Sequence, residues 1–281
     1  MVRRAIASWI YEVSTRLTLE KVRLLVRFEN MPDQLLKGKV VLITGGGRGL
    51  GRTIGLGYAT EGAQVVVCSR TSSEVRETVS RIRENGGEAI GIAADLSEEA
   101  ESERVMDEIE AVFGRLDIVF LNAGGNSCGA REPIETVDAK AWIKTIEINL
   151  YTAFHVAKAS IRLLKQSDNG KILTMGSGMG RKPNGRSSAY SASKAALWML
   201  TQSLSIELAE YGITVNEMIP GPVKSNVPSD ELFEPYLIEK GDWQNEWMKG
   251  SEDVVPMAIF LASQHEFGPS GQSFALNRRL L

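Results

Sequence analysis

From Lys39 onward the chain alternates short apolar, largely β-branched runs with longer stretches whose apolar positions recur at helical spacing. Residues 39–44 read as a strand ending in glycines, and 51–61 as the helix that follows. The same grammar continues with strand 64–69, helix 73–84, strand 88–93, helix 97–113 and strand 118–122. A long helix over 137–166 comes next, then strand 171–175, helix 191–211 and strand 214–218. An irregular segment, 221–249, precedes a helix near 253–263 and a last strand near 272–276. Short connections between successive strands and helices force parallel strands joined by right-handed crossovers. The strands are continuous apolar runs, as expected of strands covered on both faces. The pattern predicts one α/β domain over 36–281, a Rossmann-type doubly wound parallel sheet of about seven strands with helices on both faces.

Residues 1–30 follow a different pattern. Ile6, Trp9, Ile10, Val13, Leu17, Val22, Leu25 and Phe28 fall near helical spacing, among six basic and three acidic side chains. There is no 7 to 15 residue apolar core of the kind a secretory signal carries, and the glutamates fit an organellar transit peptide poorly. Residues 1–35 are therefore read as an N-terminal amphipathic appendage, with the domain beginning near Leu36.

Composition narrows the possible functions. The 281 residues carry 32 Lys and Arg against 35 Asp and Glu, a net charge of -3. No overall positive field draws the chain to nucleic acid. The longest apolar runs fall far short of the ~20 residues a membrane helix requires, so no membrane span is expected. Cys68 and Cys128 stand 60 positions apart with no ligand-like companions, which argues against both a disulfide framework and a metal site. A reducing compartment, the cytoplasm, is the default expectation.

Candidate chemistry begins at Thr44-Gly45-Gly46-Gly47-Arg48-Gly49-Leu50-Gly51, between the first strand and the first helix. Backbone N–H groups and the positive helix end there can hold a diphosphate, and glycines permit its close approach. The spacing departs from G-x-G-x-x-G, and a glycine-rich turn alone also serves as a tight strand-to-helix connection. About 20 residues on, where a carboxylate would bind the ribose diol of NAD, the chain has Ser69 and Arg70. With Arg48 in the loop, two guanidinium groups suit a 2′-phosphate, so NADP(H) is expected rather than NAD(H). Asp95 and Leu96 after the third strand, and Asn122, Ala123 and Gly124 after the fourth, fall where open α/β sheets bind ligands. Asp95 is placed at the adenine amino group and Asn122 to Gly124 along the ribose side.

Tyr190 and Lys194 lie four apart at a helix start, hence on one face. An ammonium beside a phenol stabilises phenolate and makes the tyrosine a usable acid or base. Ser177, after the fifth strand, can hydrogen-bond a substrate carbonyl or hydroxyl, and Asn149 in the long helix can bind a relay water. His155 and His265 read as packed and solvent-facing, respectively. Trp243 and Trp247 are candidates to wall a substrate pocket, and Asp230, Glu231, Glu234 and Glu239 form a wet face.

Taken in order, the glycine loop, Asn122-Ala123-Gly124, Asn149, Ser177, Tyr190, Lys194 and Pro220-Gly221 resemble the short-chain dehydrogenase/reductase family over roughly residues 36–276. The resemblance implies that Tyr190 is the general acid or base and that Lys194 binds nicotinamide ribose. It implies that Ser177 polarises the substrate and Asn149 holds water. Its loop maps to Thr44, Gly45, Gly49 and Gly51, and its cofactor contacts end at Pro220, Gly221, Val223 and Ser225. Ser225 stands where the family commonly has threonine, and Asn277-Arg278-Arg279 stands where it commonly has a glycine pair. The implied activity is hydride transfer between NADP(H) and a small-molecule carbonyl or secondary alcohol. A non-catalytic dinucleotide-binding or scaffold member of the same fold is the alternative, and dehydration or epimerisation on this scaffold a third. The resemblance also implies a homo-oligomer, tetramer or dimer, built on the two long helices. Arg278 and Arg279 would resist burial at a second, C-terminal interface.

Overall fold

The computed structural model describes residues 34–126, 130–225, 233–241 and 244–278. The expected amphipathic appendage, Cys128, Asp230, Glu231, Trp243 and Arg279 lie outside the described residues. Strand β1 (Val40–Thr44) leads through the glycine loop to helix α1 (Gly49–Thr60), followed by β2 (Gln64–Ser69), α2 (Ser72–Glu84), β3 (Glu88–Ala93), α3 (Glu99–Phe113) and β4 (Ile118–Leu121). Helices α4 (Ala139–Ile146) and α5 (Thr152–Leu164) precede β5 (Lys171–Met175), helix α6 (Ser188–Glu207) and β6 (Thr214–Ile219). A short ribbon of β7 (Tyr236–Leu237) and β8 (Trp247–Met248), helix α7 (Val255–Ala262) and β9 (Ser273–Ala275) complete the order.

The sheet runs β3-β2-β1-β4-β5-β6-β9 with all six pairings parallel, matching the expected doubly wound architecture. Chain order reverses between β1 and β4, and this switch point opens a crevice beyond the strands' carboxyl ends. Strand residues alternate between two cores. Val40, Leu42, Val66 and Cys68 pack with Met106 of α3, Val156 of α5 and Leu197 of α6. Val41, Ile43, Val65 and Val67 pack with Tyr58 of α1, Ile82 of α2 and Leu261 of α7. At the opposite end of the strands, Asp117 aligns three of them. Its carboxylate accepts from the Val40 amide at 2.9 Å and the Ser167 hydroxyl at 2.6 Å, and its carbonyl accepts from the Lys171 amide at 2.9 Å.

Two expectations are corrected. The helix read over 137–166 is not continuous, because a π-helical turn at Glu147–Tyr151 separates α4 from α5. An apolar period carried through Ile146 and Leu150 gives no sign of that turn; its cause is the tertiary bonding of Asn149, described below. The irregular segment 221–249 contains the antiparallel β7–β8 ribbon and a bridge from Val223 to Lys249. The chain end is tied to this ribbon: Lys249 Nζ donates to the Leu276 carbonyl at 3.0 Å, and the Arg278 amide donates to Glu246 at 3.0 Å.

Candidate active site

A cleft of about 540 Å³ occupies the crevice at the β1–β4 switch point. One wall is the glycine loop, where Gly45 and Gly49 adopt φ of +64° and +53°, the left-handed region glycine enters at little cost. Side chains are excluded here for steric reasons as well. A Cβ at Gly45 would lie 2.9 Å from the Ala123 Cα, and one at Gly47 would lie 2.6 Å from the Ser69 hydroxyl. The loop is held from both sides. Thr44 Oγ1 accepts from the amides of Asn122 and Ala123, each at 3.0 Å, and Asn122 Nδ2 donates to the Thr44 carbonyl at 3.0 Å. The Gly47 carbonyl accepts from Arg52 Nε at 3.0 Å and from Thr78 Oγ1 at 3.1 Å, and Glu77 orients the Arg52 guanidinium. Asn122 is thus a brace of the loop as well as part of the wall. Arg52 and Thr78 escape sequence reading because each looks like an ordinary helix residue.

Helix α1 begins at this loop with Arg48 as its N-cap, without a capping side chain or an acidic residue in its first turn. Its first amides and dipole therefore face the cleft unneutralised. Farther along, Ser69, Arg70, Asp95 and Leu96 line the same cleft. The buried Ser69 hydroxyl has no hydrogen-bond partner. Burial pushes the Asp95 carboxyl up, but hydrogen bonds from the Ser97 hydroxyl and amide, with the charges of Arg70 and Lys144, outweigh it and hold the group below its ordinary range. Along with Thr71, Gly125, Ile148, Thr152 and Met175, the sequence reading missed a charged lining residue, Glu74 in the first turn of α2. Its carboxylate stands 3.7 Å from Arg48 Nη1, so one expected cation already has an anionic neighbour.

The other end of the cleft holds Tyr190 and Lys194, one turn apart at the start of α6. The Ser177 hydroxyl accepts from the Met179 amide at 3.2 Å. Lys194 is 3% exposed, and its ammonium donates to the Met175 carbonyl at 2.8 Å. Burial lowers its pKa to about 8, opposed by the charge of Glu217. The pKa of the Tyr190 phenol lies above its ordinary value. Burial raises the phenol, Ser177 and Arg131 oppose the rise, and the Lys194 ammonium, bonded to the Met175 carbonyl, stands 5.7 Å from the ring centre. Asn149 is fully buried in the π turn. Its Nδ2 donates to the carbonyls of Gly125 and Thr145 at 2.6 and 2.8 Å, and its Oδ1 accepts from the Gly125 amide at 3.0 Å. Its side-chain amide thus holds the loop after β4 in place.

Ser225 closes the cleft opposite Gly49, with its Cβ 3.6 Å from where a Cβ at 49 would stand. Pro220, Gly221 and Val223 stand behind it: Gly221 takes φ of +70° beside Asn277, and Val223 packs on the α1-side core. Trp247 does not line the cleft; it is 39% exposed, with the Arg278 guanidinium 5.9 Å from its ring. Glu234 and Glu239 are exposed, as the wet-face reading expects. Among the described residues Cys68 is a free, buried thiol, no cluster of metal-ligating side chains occurs, and no helix is long and apolar enough to cross a membrane.

Residues 39–232 match the family model described as short chain dehydrogenase. The chain belongs to the short chain dehydrogenase family. It is an oxidoreductase of that family, and its relatives are matched over most of their length. An oxidoreductase of Thermotoga maritima is 36% identical over 237 residues, covering 83% of this chain and 92% of the relative. The 3-oxoacyl-(acyl-carrier-protein) reductase FabG of Escherichia coli is 30% identical over 244 residues, 86% and 96% of the two chains. A short chain dehydrogenase of Shigella flexneri solved with NADP superposes with a TM-score of 0.76 at 26% identity, covering 87% of this chain and 99% of that one. The cleft of this short chain dehydrogenase has the glycine loop at one end and Tyr190 and Lys194 at the other.

Proposed function

We propose that the protein is an NADP(H)-dependent oxidoreductase that transfers hydride between nicotinamide and the carbonyl or carbinol carbon of a small-molecule substrate. The observation that carries this reading is the placement of Tyr190 and Lys194, one turn apart, at the end of a cleft whose other end is a glycine cradle. The cradle fits a dinucleotide: added Cβ atoms at Gly47 and Gly124 would close it, and the unpartnered Ser69 hydroxyl faces Gly47. The loop amides and the α1 N-terminus hold the diphosphate, and Arg48 and Arg70 favour a 2′-phosphate. The NADP-bound Shigella structure supports that choice. Asp95 takes the adenine amino group, and Lys194 the ribose hydroxyls beside nicotinamide.

When bound, the nicotinamide supplies or accepts the hydride. The chain's own residues handle the proton and the geometry. Ser177 donates to the substrate oxygen, orienting it toward Tyr190. In reduction the Tyr190 hydroxyl gives its proton to that oxygen; in oxidation the phenolate takes it back. The Lys194 ammonium stabilises the phenolate once its carbonyl contact with Met175 is shared. Asn149 keeps the Gly124–Gly125 wall in place.

The same reading assigns one catalytic domain to residues 36–281 and a reducing compartment, the cytoplasm, consistent with the free thiol of Cys68. It also assigns a homodimer or homotetramer. Ile143, Phe154, Met199 and Ile206 expose between 46% and 78% of their surface on α4, α5 and α6, which suits a helix-to-helix interface. Light scattering reads the assembly, and a monomer mass near the 30.8 kDa of the chain overturns it.

The deciding experiment is a panel of aldehydes and ketones with NADPH consumption followed by absorbance, repeated with Tyr190→Phe. Loss of turnover with NADPH binding retained is expected. Turnover at the parent rate in that variant removes the assignment.

A further inference from the structure

A carboxylate lies directly behind the Ser177 turn, on a strand whose other side chains are buried. Glu217 of β6 is fully buried, and Arg181 grips it with both arms, Nη1 to Oε1 at 3.0 Å and Nη2 to Oε2 at 2.5 Å. Ser273 of the edge strand β9 completes the set, donating to Glu217 at 2.6 Å and accepting from Arg181 at 2.8 Å. The guanidinium stacks on Trp198 of α6, 4.3 Å from the ring centre, and only 15% of its side chain is exposed.

We propose that Arg181 and Glu217 form a positioning pair that fixes the segment 176–181, and with it the Ser177 hydroxyl, against β6 and α6. The two ends of the segment meet the pair in different ways. A Cβ at residue 176 would overlap the Glu217 carboxylate, so the backbone at Gly176 rests on that group. At the other end Arg181 follows the 3-10 turn Gly178–Gly180, which lies so close to α6 that a Cβ at 180 would stand 2.9 Å from the Lys194 carbonyl carbon. Ser177 lies between these anchors. The Glu217 charge also opposes proton loss from Lys194, so the pair bears on both ends of the Tyr190 site.

Stability alone is a poor reason for such an arrangement. A buried ion pair gives up two hydration shells, and well-packed apolar residues in its place are often as stable. What the bidentate fork adds over apolar packing is orientation. The pair touches neither the cleft nor the glycine loop, so its effect reaches the reaction only through Ser177 and Lys194.

This inference rests on the oxidoreductase reading, and its test separates the two. In Arg181→Lys, which keeps the charge but loses the fork, and in Glu217→Gln, kcat falls about tenfold, less than the roughly hundredfold that a full 1 Å misplacement costs. In Arg181→Lys, which leaves the Glu217 charge near Lys194 in place, NADPH affinity stays within about twofold, because the pair does not reach the glycine cradle. Amide exchange in a peptide covering 176–182 speeds up about tenfold, while the peptide covering the glycine loop is unchanged. Uniformly faster exchange, or a parent kcat per NADPH-binding site, overturns the proposal. If both variants fail to fold, Ser273→Ala decides: a kcat reduced about threefold supports the pair, and a parent value overturns it. A Tyr190→Phe control that retains turnover would instead overturn the oxidoreductase reading.

Discussion

The Lys194 ammonium is bonded at 2.8 Å to the Met175 carbonyl, at the end of the strand that leads into the Ser177 turn. The lysine is therefore anchored by the scaffold itself, in a setting dry enough to bring its pKa to about 8 from the ordinary 10.5.

That value sets a pH dependence. The folded group holds its proton below about 8 and the unfolded group below about 10.5, so the unfolded chain binds more protons between the two. The contribution of Lys194 to stability therefore rises with pH across that window. Cofactor affinity moves the opposite way, because the ammonium that meets the ribose is lost above pH 8. Calorimetric titration with NADP should show affinity flat from pH 6.5 to 7.5 and about tenfold weaker near pH 9, a cost of one pKa unit. Lys194→Met should bind more weakly throughout and lose the slope. A slope that persists in the variant assigns the titration to another group.

Much of the fold was legible because the strands are buried on both faces. Runs such as Val40–Thr44 and Gln64–Ser69 have no competing helical period; Gly45 follows the first and Gly62 precedes the second. The glycine loop, Ser177, Tyr190 and Lys194 stood out because the proposed chemistry calls for those side chains at fixed places along successive elements. What was hidden depends on partners distant in sequence. Glu74 in the first turn of α2 reads as a favourable helix-start charge, and its place beside Arg48 follows only once α2 docks against the loop. The π turn follows from Asn149 reaching Gly125. Glu217 gave no signal, because 214–218 (Thr-Val-Asn-Glu-Met) is a mixed run, and its burial follows only once Arg181 and Ser273 close on it.

Glu74 makes the cofactor preference testable from both directions. Arg70→Ala should raise KM for NADPH at least tenfold, about 1.5 to 3 kcal/mol for a charge-assisted contact, and leave NADH kinetics nearly unchanged. Glu74→Gln removes an anion from the neighbourhood of the 2′-phosphate and releases Arg48, so KM for NADPH should fall about threefold, within the ~1 kcal/mol of an exposed ion pair. Steady-state kinetics with both cofactors decide it. An equal change for NADPH and NADH in either variant would assign that residue to folding.

Asp117 should carry stability without touching chemistry. Its carboxylate is fully buried, pairs with Arg115 and Lys39, and joins the starts of β1 and β4. Burial raises its pKa, but Arg115, Ser167, the Val40 amide and Lys39 outweigh that and leave it lowered. A depressed carboxyl contributes stability above its unfolded value near ~3.9, lost as pH falls through the folded value. Asp117→Ala should cost roughly 3 kcal/mol in urea unfolding, the lower end for a broken buried pair, and flatten the acid side of the stability profile. Specific activity per folded molecule should be unchanged. A destabilisation below ~1 kcal/mol would mean that solvent already reaches the group.

Gly51 and Gly55 share helix α1 and should respond oppositely to the same substitution. A Cβ at Gly51 would overlap the Gly45 carbonyl oxygen and stand 2.9 Å from its carbon, backbone atoms that cannot swing aside. It would also crowd Asn122 Nδ2 at 2.5 Å, the group that braces the loop from β4. At Gly55 the nearest atom is Ile43 Cδ1 at 3.4 Å, an ordinary contact with a side-chain end. Both replacements gain helix propensity, up to about 1 kcal/mol for Gly to Ala. Gly55→Ala should therefore raise the unfolding temperature and bind NADPH as the parent does. Gly51→Ala should still fold, since the core below α1 is untouched, but the displaced loop misaligns the amides that meet the diphosphate. A loss of two charge-assisted hydrogen bonds at about 1.5 kcal/mol each corresponds to more than a hundredfold in affinity. Calorimetry on the two variants reads both effects. Parent affinity in Gly51→Ala would show that the diphosphate is held elsewhere, and the glycine cradle would lose its role.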